Sequence, residues 1–449
     1  MGLWIPEAPL ILGRLTAERL HPDFASSAWG NSEPSEGAPR LEATARGGSA
    51  RGWLELARCQ VYGYGVPVDV RKAEVSVGRF LEDSGRQVEH GRDEIPVRAF
   101  LDELRTNADS GEPAARTLLG ILLGVDHLAK ALGLEPTEGE VLALLLPAAE
   151  GGFAQASRIL GDFYLEGLGV PLDEEQAEVW LARSAHAGDP GGQLAYGLLL
   201  ADRAPTDAAH GSAREWIERA RDAGLGEASG ELARLYEEAI GVERDVDKAI
   251  ALYVEAALRG DEFAPQRLSE LAEEGVTQAA LASARIRFEL ARSDLERRWA
   301  LGSIDEVLLE APEADKAWIL AWLDSHENST LAVEFLHRLY DEGRGVAADP
   351  AKAIVYLRRA VDLRSPRACE TLAGLSLNGM TVAGVELLPR DLDLVLSCAR
   401  IAMDGGRTYG YGYSALALYE LGRAEEAADM ADAGLQVYDP ISMAFVATM

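Results

Sequence analysis

From Leu160 to Gly188 the chain reads LGDFYLEGLGVPLDEEQAEVWLARSAHAG. Its apolar and small residues fall in two blocks: Ala156, Leu160, Phe163 and Tyr164, then Ala177, Trp180, Leu181 and Ala185. Spacings of three and four predict two amphipathic helices, and the glycines between them predict a turn. The unit is a helical hairpin. Anchored on Leu160-Gly161, it recurs at Tyr196-Gly197, Leu232-Ala233 and Leu268-Ser269, each step being 36 residues. In the first three copies Ala177, Ala213 and Ala249 follow seventeen positions after the anchor, and Gly188, Gly224 and Gly260 close the unit. A period of this length is the mark of a repeat architecture.

The frame extends in both directions. Leu336 leads to Ala353, Tyr356 and Arg364, and the next unit opens at Leu372. A degenerate copy built on Leu301-Gly302 fills the interval before Leu336, and a copy with a longer loop begins at Leu119-Gly120. The run from Ala415 to Leu435 closes the array. The expected fold is all-α, an α/α superhelical solenoid of about nine helical hairpins. The expected organisation is an N-terminal segment (1–25), a flexible Ser-, Gly- and Pro-rich linker (26–50), a first repeat with an irregular unit (51–112), the solenoid (113–440) and a C-terminal tail (441–449).

The turn glycines resemble a phosphate loop until the four turns are aligned. VYGYGVPVDV, YLEGLGVPLD, YEEAIGVERD and YDEGRGVAAD all keep a valine followed three residues later by an aspartate. Val66, Val170, Val242 and Val346 are placed to plug a gap between helices. Asp69, Asp173, Asp245 and Asp349 stand where an N-cap would accept from the second helix. No Lys-Ser or Lys-Thr follows the last glycine, so the turn reads as structural.

These residues together, Leu-Gly, the aromatic, the Gly-Gly-Val turn, Asp, Lys-Ala, the second aromatic and the closing Gly, resemble the Sel-1-like repeat family. Leu56–Ser84, Leu160–Gly188, Leu232–Gly260 and Leu336–Arg364 carry the resemblance best, and the last hairpin is similar to a tetratricopeptide unit through Tyr419, Gly422, Glu425, Glu426 and Ala427. The resemblance implies a non-catalytic interaction scaffold or adaptor, of a kind common in bacteria. A cytoplasmic immunity-type or regulatory inhibitor of one basic partner is the alternative, and an enzyme with its site in 85–112 or 285–330 is a third.

Composition narrows these classes. A formal charge of −31 opposes binding to nucleic acid or to anionic lipid surfaces. Apolar runs such as Val141–Leu146 are far shorter than the roughly 20 residues of a membrane span. The N-terminus lacks the features of a secretory signal, and a cytoplasmic location is expected. Cys59, Cys369 and Cys398 are too scattered for a disulfide framework, and the seven histidines never fall at metal-ligand spacing, so no metal, cofactor or catalytic residue is assigned. The segment Gly405–Leu416, GGRTYGYGYSAL, reads as a connector between two units.

One positional feature points to a partner. At the end of the first helix, successive units place Glu166, Asp202, Glu237 with Glu238, Glu273 with Glu274, and Asp341 with Glu342. The register shared with tetratricopeptide units puts this helix on the inner face, so the ladder is expected to meet a basic segment of a partner protein. Arg158, Arg234 and Arg338, one turn earlier, are candidates to pair with some of these acids.

Overall fold

A computed structural model describes residues 42–43, 45–46, 50–64, 66–84, 94–137, 139–203 and 207–448. Segment 1–25 and nearly all of the expected linker lie outside the described residues. At the linker's end residues 42–43 and 45–46 are helical, and Ala45 is buried. The chain forms two compact units, Met1–Arg244 and Asp245–Met449.

The first unit contains α1 (Ala50–Tyr62), α2 (Val70–Ser84), α3 (Glu94–Asp109), α4 (Pro113–Gly124), α5 (Asp126–Ala131), α6 (Glu140–Glu150), α7 (Ala154–Glu166), α8 (Glu174–His186), α9 (Pro190–Asp202), α10 (Asp207–Asp222) and α11 (Gly226–Glu238). Helices α1 and α2, α7 and α8, and α9 and α10 pack as hairpins. The longer loop of the Leu119 copy holds the short α5, and α4 then packs on α6.

Small residues set the distance between paired helices. A Cβ added to Gly161 would lie 2.6 Å from Cγ of Leu181, and one on Gly197 would lie 2.7 Å from Cγ1 of Ile217. At these two anchors the following position is small because the partner helix occupies the space a side chain would need.

The second unit contains α12 (Val246–Leu258), α13 (Ala264–Glu273), α14 (Thr277–Glu289), α15 (Asp294–Leu308), α16 (Glu313–Ser325), α17 (Thr330–Glu342), α18 (Pro350–Asp362), α19 (Pro366–Asn378), α20 (Leu392–Asp404), α21 (Tyr409–Glu420), α22 (Ala424–Gln436) and α23 (Pro440–Thr448). The 285–330 stretch is built of regular helices, the end of α14 followed by α15 and α16. Residues expected as a tail form α23, which packs against α21 and α22 and buries Phe445.

The turn chemistry is the same in both units. Oδ1 of Asp69, Asp173, Asp245 and Asp349 accepts from the backbone N–H three residues on, at 3.0, 3.0, 2.9 and 3.1 Å. In three of these turns the aspartate's own N–H donates back to the first helix: Asp69 to Gln60, Asp173 to Tyr164 and Asp349 to Tyr340, at 2.8–2.9 Å. One residue thus caps the second helix and closes the turn. The valine plug is complete only at Val170, which is buried; Val66, Val242 and Val346 are half-buried.

Two local features depart from the expectation. Between α19 and α20 the turn is replaced by a hairpin of β1 (Met380–Val382) and β2 (Val385–Leu388), antiparallel, with Val382 opposite Val385. Ala383 and Gly384 both have positive φ, 51° and 82°, as a tight hairpin turn requires, and β-branched residues flank them. The GGRTYGYGYSAL segment is a connector only as far as Thr408. From Tyr409 it is helix, and its glycines are contact points: a Cβ on Gly410 would lie 2.7 Å from the Ala399 carbonyl oxygen.

Candidate partner-binding groove

Each hairpin reverses the chain, so the first helices of successive hairpins run in one direction. In the second unit three of them, α15, α17 and α19, line an open groove of about 460 Å³. This volume falls in the range of ligand-holding clefts, roughly 300–1,000 Å³. Its apolar lining comes from Leu301, Leu331 and Phe335, with Leu357 of α18 at the back.

The charges of the groove are of both signs. Arg298, Arg338 and Arg367 line it together with Asp305, Glu334, Asp341 and Glu342. Asp305 is buried and lies 3.4 Å from Arg338 and 3.1 Å from Arg344. The Arg338 guanidinium also sits over the Phe335 ring, 5.2 Å from its centroid. The Ser365 hydroxyl donates to Glu334. One ring nitrogen of His337 hydrogen-bonds the Ala353 carbonyl at 3.0 Å.

The acidic ladder is found at the ends of α7, α9, α11, α13 and α17, in different settings. In the first unit Glu166, Asp202 and Glu238 are exposed and Glu237 is half-buried. Arg234 pairs with Glu238 at 3.0 Å, as the spacing suggested, and also with Glu231 at 3.0 Å. The Glu237 carbonyl accepts from Arg244 at 3.0 Å. Arg158 turns instead to Asp162 and Asp189, at 3.6 and 3.3 Å. Burial pushes the Asp162 carboxyl up to about 6; Arg158 and Arg71 oppose the rise, while Glu166 and Asp189 add to it.

In the second unit Glu273, Glu274, Asp341 and Glu342 are all exposed. Glu274 lies 3.3 Å from Arg267. Only Asp341 and Glu342 of the ladder line the groove, and Arg338 pairs with Asp305 rather than with them. Sequence reasoning missed Arg298 and Arg367. The available signal was basic residues three and five positions before the anchors Leu301 and Leu372, a register that comes into view only once the helices are aligned.

Nucleophilic and metal chemistry have little to work with among the described residues. Burial is the main cause that pushes the thiols of Cys59 and Cys398 up to about 12, far from thiolate reactivity. Among those residues no group of three or more His, Cys, Asp or Glu is placed to hold a metal ion. No described helix is long and apolar enough to cross a membrane.

The Sel1 repeat family model matches residues 54–74, 154–189, 227–261 and 331–365, the same segments whose turns share the capping aspartate. These four segments are Sel1 repeats. The third Sel1 repeat contains the boundary between the two compact units. Among solved structures, the chain is similar to a protective antigen present in uropathogenic Escherichia coli strains that displays an SLR fold. The identity is 17% and the TM-score 0.33, over 92% of this chain and 97% of the antigen. It is also similar to a Sel1 repeat protein from Oxalobacter formigenes, at 19% identity and TM-score 0.27, over 93% and 94% of the two chains. No curated protein matches the chain.

Proposed function

We propose that this Sel1 repeat protein is a non-catalytic scaffold that holds a partner protein on the first helices of its hairpins, and that the partner presents a basic segment to the acidic ladder. The observation that carries the reading is the groove itself. Three parallel helices from successive hairpins contribute exposed charges to one continuous open surface that Leu301, Leu331 and Phe335 also line. Such a surface suits an extended or irregular protein segment, because repeats offer similar contacts at regular intervals. The fold alone does not specify this use. The net charge of −31 adds long-range attraction for basic partners, which raises association rates more than final affinity.

The test is copurification of the tagged full-length chain from the cells that make it, with cross-linking to locate the contact. The expected result is a stoichiometric protein partner cross-linked to the first helices, α15 and α17 among them. A chain that carries no partner and turns over a small metabolite, or a partner cross-linked only to the second helices, would overturn the proposal.

A further inference from the structure

The unpaired charges of the second unit's groove are separated along the helix direction. Arg298 is the fifth residue of α15, and Arg367 stands in the first turn of α19. Asp341 and Glu342 stand in the last turn of α17. All four are exposed, and their side chains make no ion pair or hydrogen bond among the described residues. The other charges at the groove are engaged: Asp305 by Arg338 and Arg344, Glu334 by Ser365. The helix dipoles add to the pattern, positive at the start of α19 where Arg367 lies and negative at the end of α17 where the two acids lie. The groove has a cationic end and an anionic end.

The span between the ends follows from helix geometry. Counted from the equivalent anchors Leu301 and Leu336, Arg298 is three residues before and Glu342 six residues after. Nine residues of helix rise about 14 Å at ~1.5 Å each. An extended chain covers that distance in about four residues at ~3.3 Å each. Between the ends Leu301 and Phe335 line the groove beside the Asp305–Arg338 pair, and the groove is open above Gly302, where an added Cβ would meet nothing within 4 Å. This glycine differs from Gly161 and Gly197, whose Cβ positions are filled by the paired helix. Here the missing side chain leaves room on the groove side.

We infer that this groove binds an extended peptide segment of a protein partner that carries an acidic and a basic residue about four positions apart with an apolar residue between them. The acidic residue lies against Arg298 and Arg367, and the basic residue against Asp341 and Glu342. The inference rests on the scaffold reading and narrows it. A segment basic along its whole length would bring like charge to two unpaired arginines, and a bipolar one satisfies both ends.

The probe is a set of fluorescent ten-residue peptides with one Glu and one Lys, two to six positions apart, in both orders around a central Leu, with Lys-only controls. The set is titrated against the full-length chain. The expected result is at least a tenfold preference for a spacing near four in one order, over both the reverse order and the controls. The combined Arg298→Glu, Arg367→Glu, Asp341→Lys and Glu342→Lys variant should exchange the preferred order. Gly302→Leu should abolish binding while its helicity and melting temperature hold, since the new side chain points into open space and Leu favours helix over Gly. Equal binding of Lys-only peptides, an order preference unmoved by the fourfold variant, or no binding by any peptide would each overturn the inference. A native partner that copurifies with Gly302→Leu as well as with the unaltered chain would remove the groove and leave the scaffold reading standing. Absence of any partner on the unaltered chain would instead count against the scaffold reading.

Discussion

Arg158 Nε lies 3.3 Å from Oδ2 of Asp189, an ion pair between the first helix of one hairpin, α7, and the N-cap of the next first helix, α9. The same carboxylate oxygen accepts from the Gly192 N–H at 2.7 Å and from the Ser184 hydroxyl at 3.3 Å, so it joins α7, α8 and α9. Both ion-pair side chains are nearly buried, 11% and 10% exposed, so removing Asp189 leaves the Arg158 guanidinium with little water and only the more distant Asp162, at 3.6 Å. Asp189→Ala should therefore cost about 3 kcal/mol, the sum of a lost cap and a nearly buried guanidinium deprived of its nearer carboxylate. Asp189→Asn, which keeps a capping oxygen, should cost less. Chemical unfolding of the three proteins side by side measures the difference, and equal losses for Ala and Asn would put the whole effect on the charge.

Asp162 should make stability fall as pH rises through its folded-state pKa of about 6. The unfolded carboxyl releases its proton near the ordinary value of about 3.9. The folded state therefore binds more protons between these values, and stability is greatest at the acidic side of the window. Arg158, Arg71, Glu166 and Asp189 are the charged groups that act on it. Relative to Asp162→Asn, the native chain should lose about 1 kcal/mol between pH 5 and pH 7. Parallel pH profiles for the pair would show no such divergence if the carboxyl titrates as an exposed group does.

Backbone conformation at the turns predicts opposite effects at two positions. Gly169 has φ of +64°, and its added Cβ would lie 2.8 Å from Val141, so Gly169→Val should cost on the order of 2 kcal/mol. Arg364, with φ of +59°, occupies the place that Gly188, Gly224 and Gly260 hold in the other repeats. Arg364→Gly should stabilise the chain by roughly 1 kcal/mol, because a non-glycine residue pays about that much in the left-handed region. Thermal melts that move in the same direction for both variants would contradict the backbone account.

Charge reversal of Glu273, Glu274, Asp341 and Glu342 to Lys, all in the second unit, should slow association with a basic partner and flatten its salt dependence. All four side chains are exposed, so helicity should be unchanged. Stopped-flow association with the copurified partner at two ionic strengths measures both effects. An association rate unmoved by the reversal would remove the ladder from the binding account.

Sequence alone determined the helical hairpin, its period and the capping aspartates, because each depends on residues within one or two turns or on the repetition of one local pattern. Sequence reasoning located the acids of the ladder for the same reason. The tertiary structure decided which charges meet. Arg338 is four residues from Glu342 yet pairs with Asp305, 33 residues away, because the adjacent first helix presents that carboxylate to it. The arginines at the far end of the groove, the open floor at Gly302 and the β-hairpin in place of a turn are likewise outside the repeat pattern. They depend on how neighbouring hairpins pack, and packing brings together residues that local periodicity leaves unrelated.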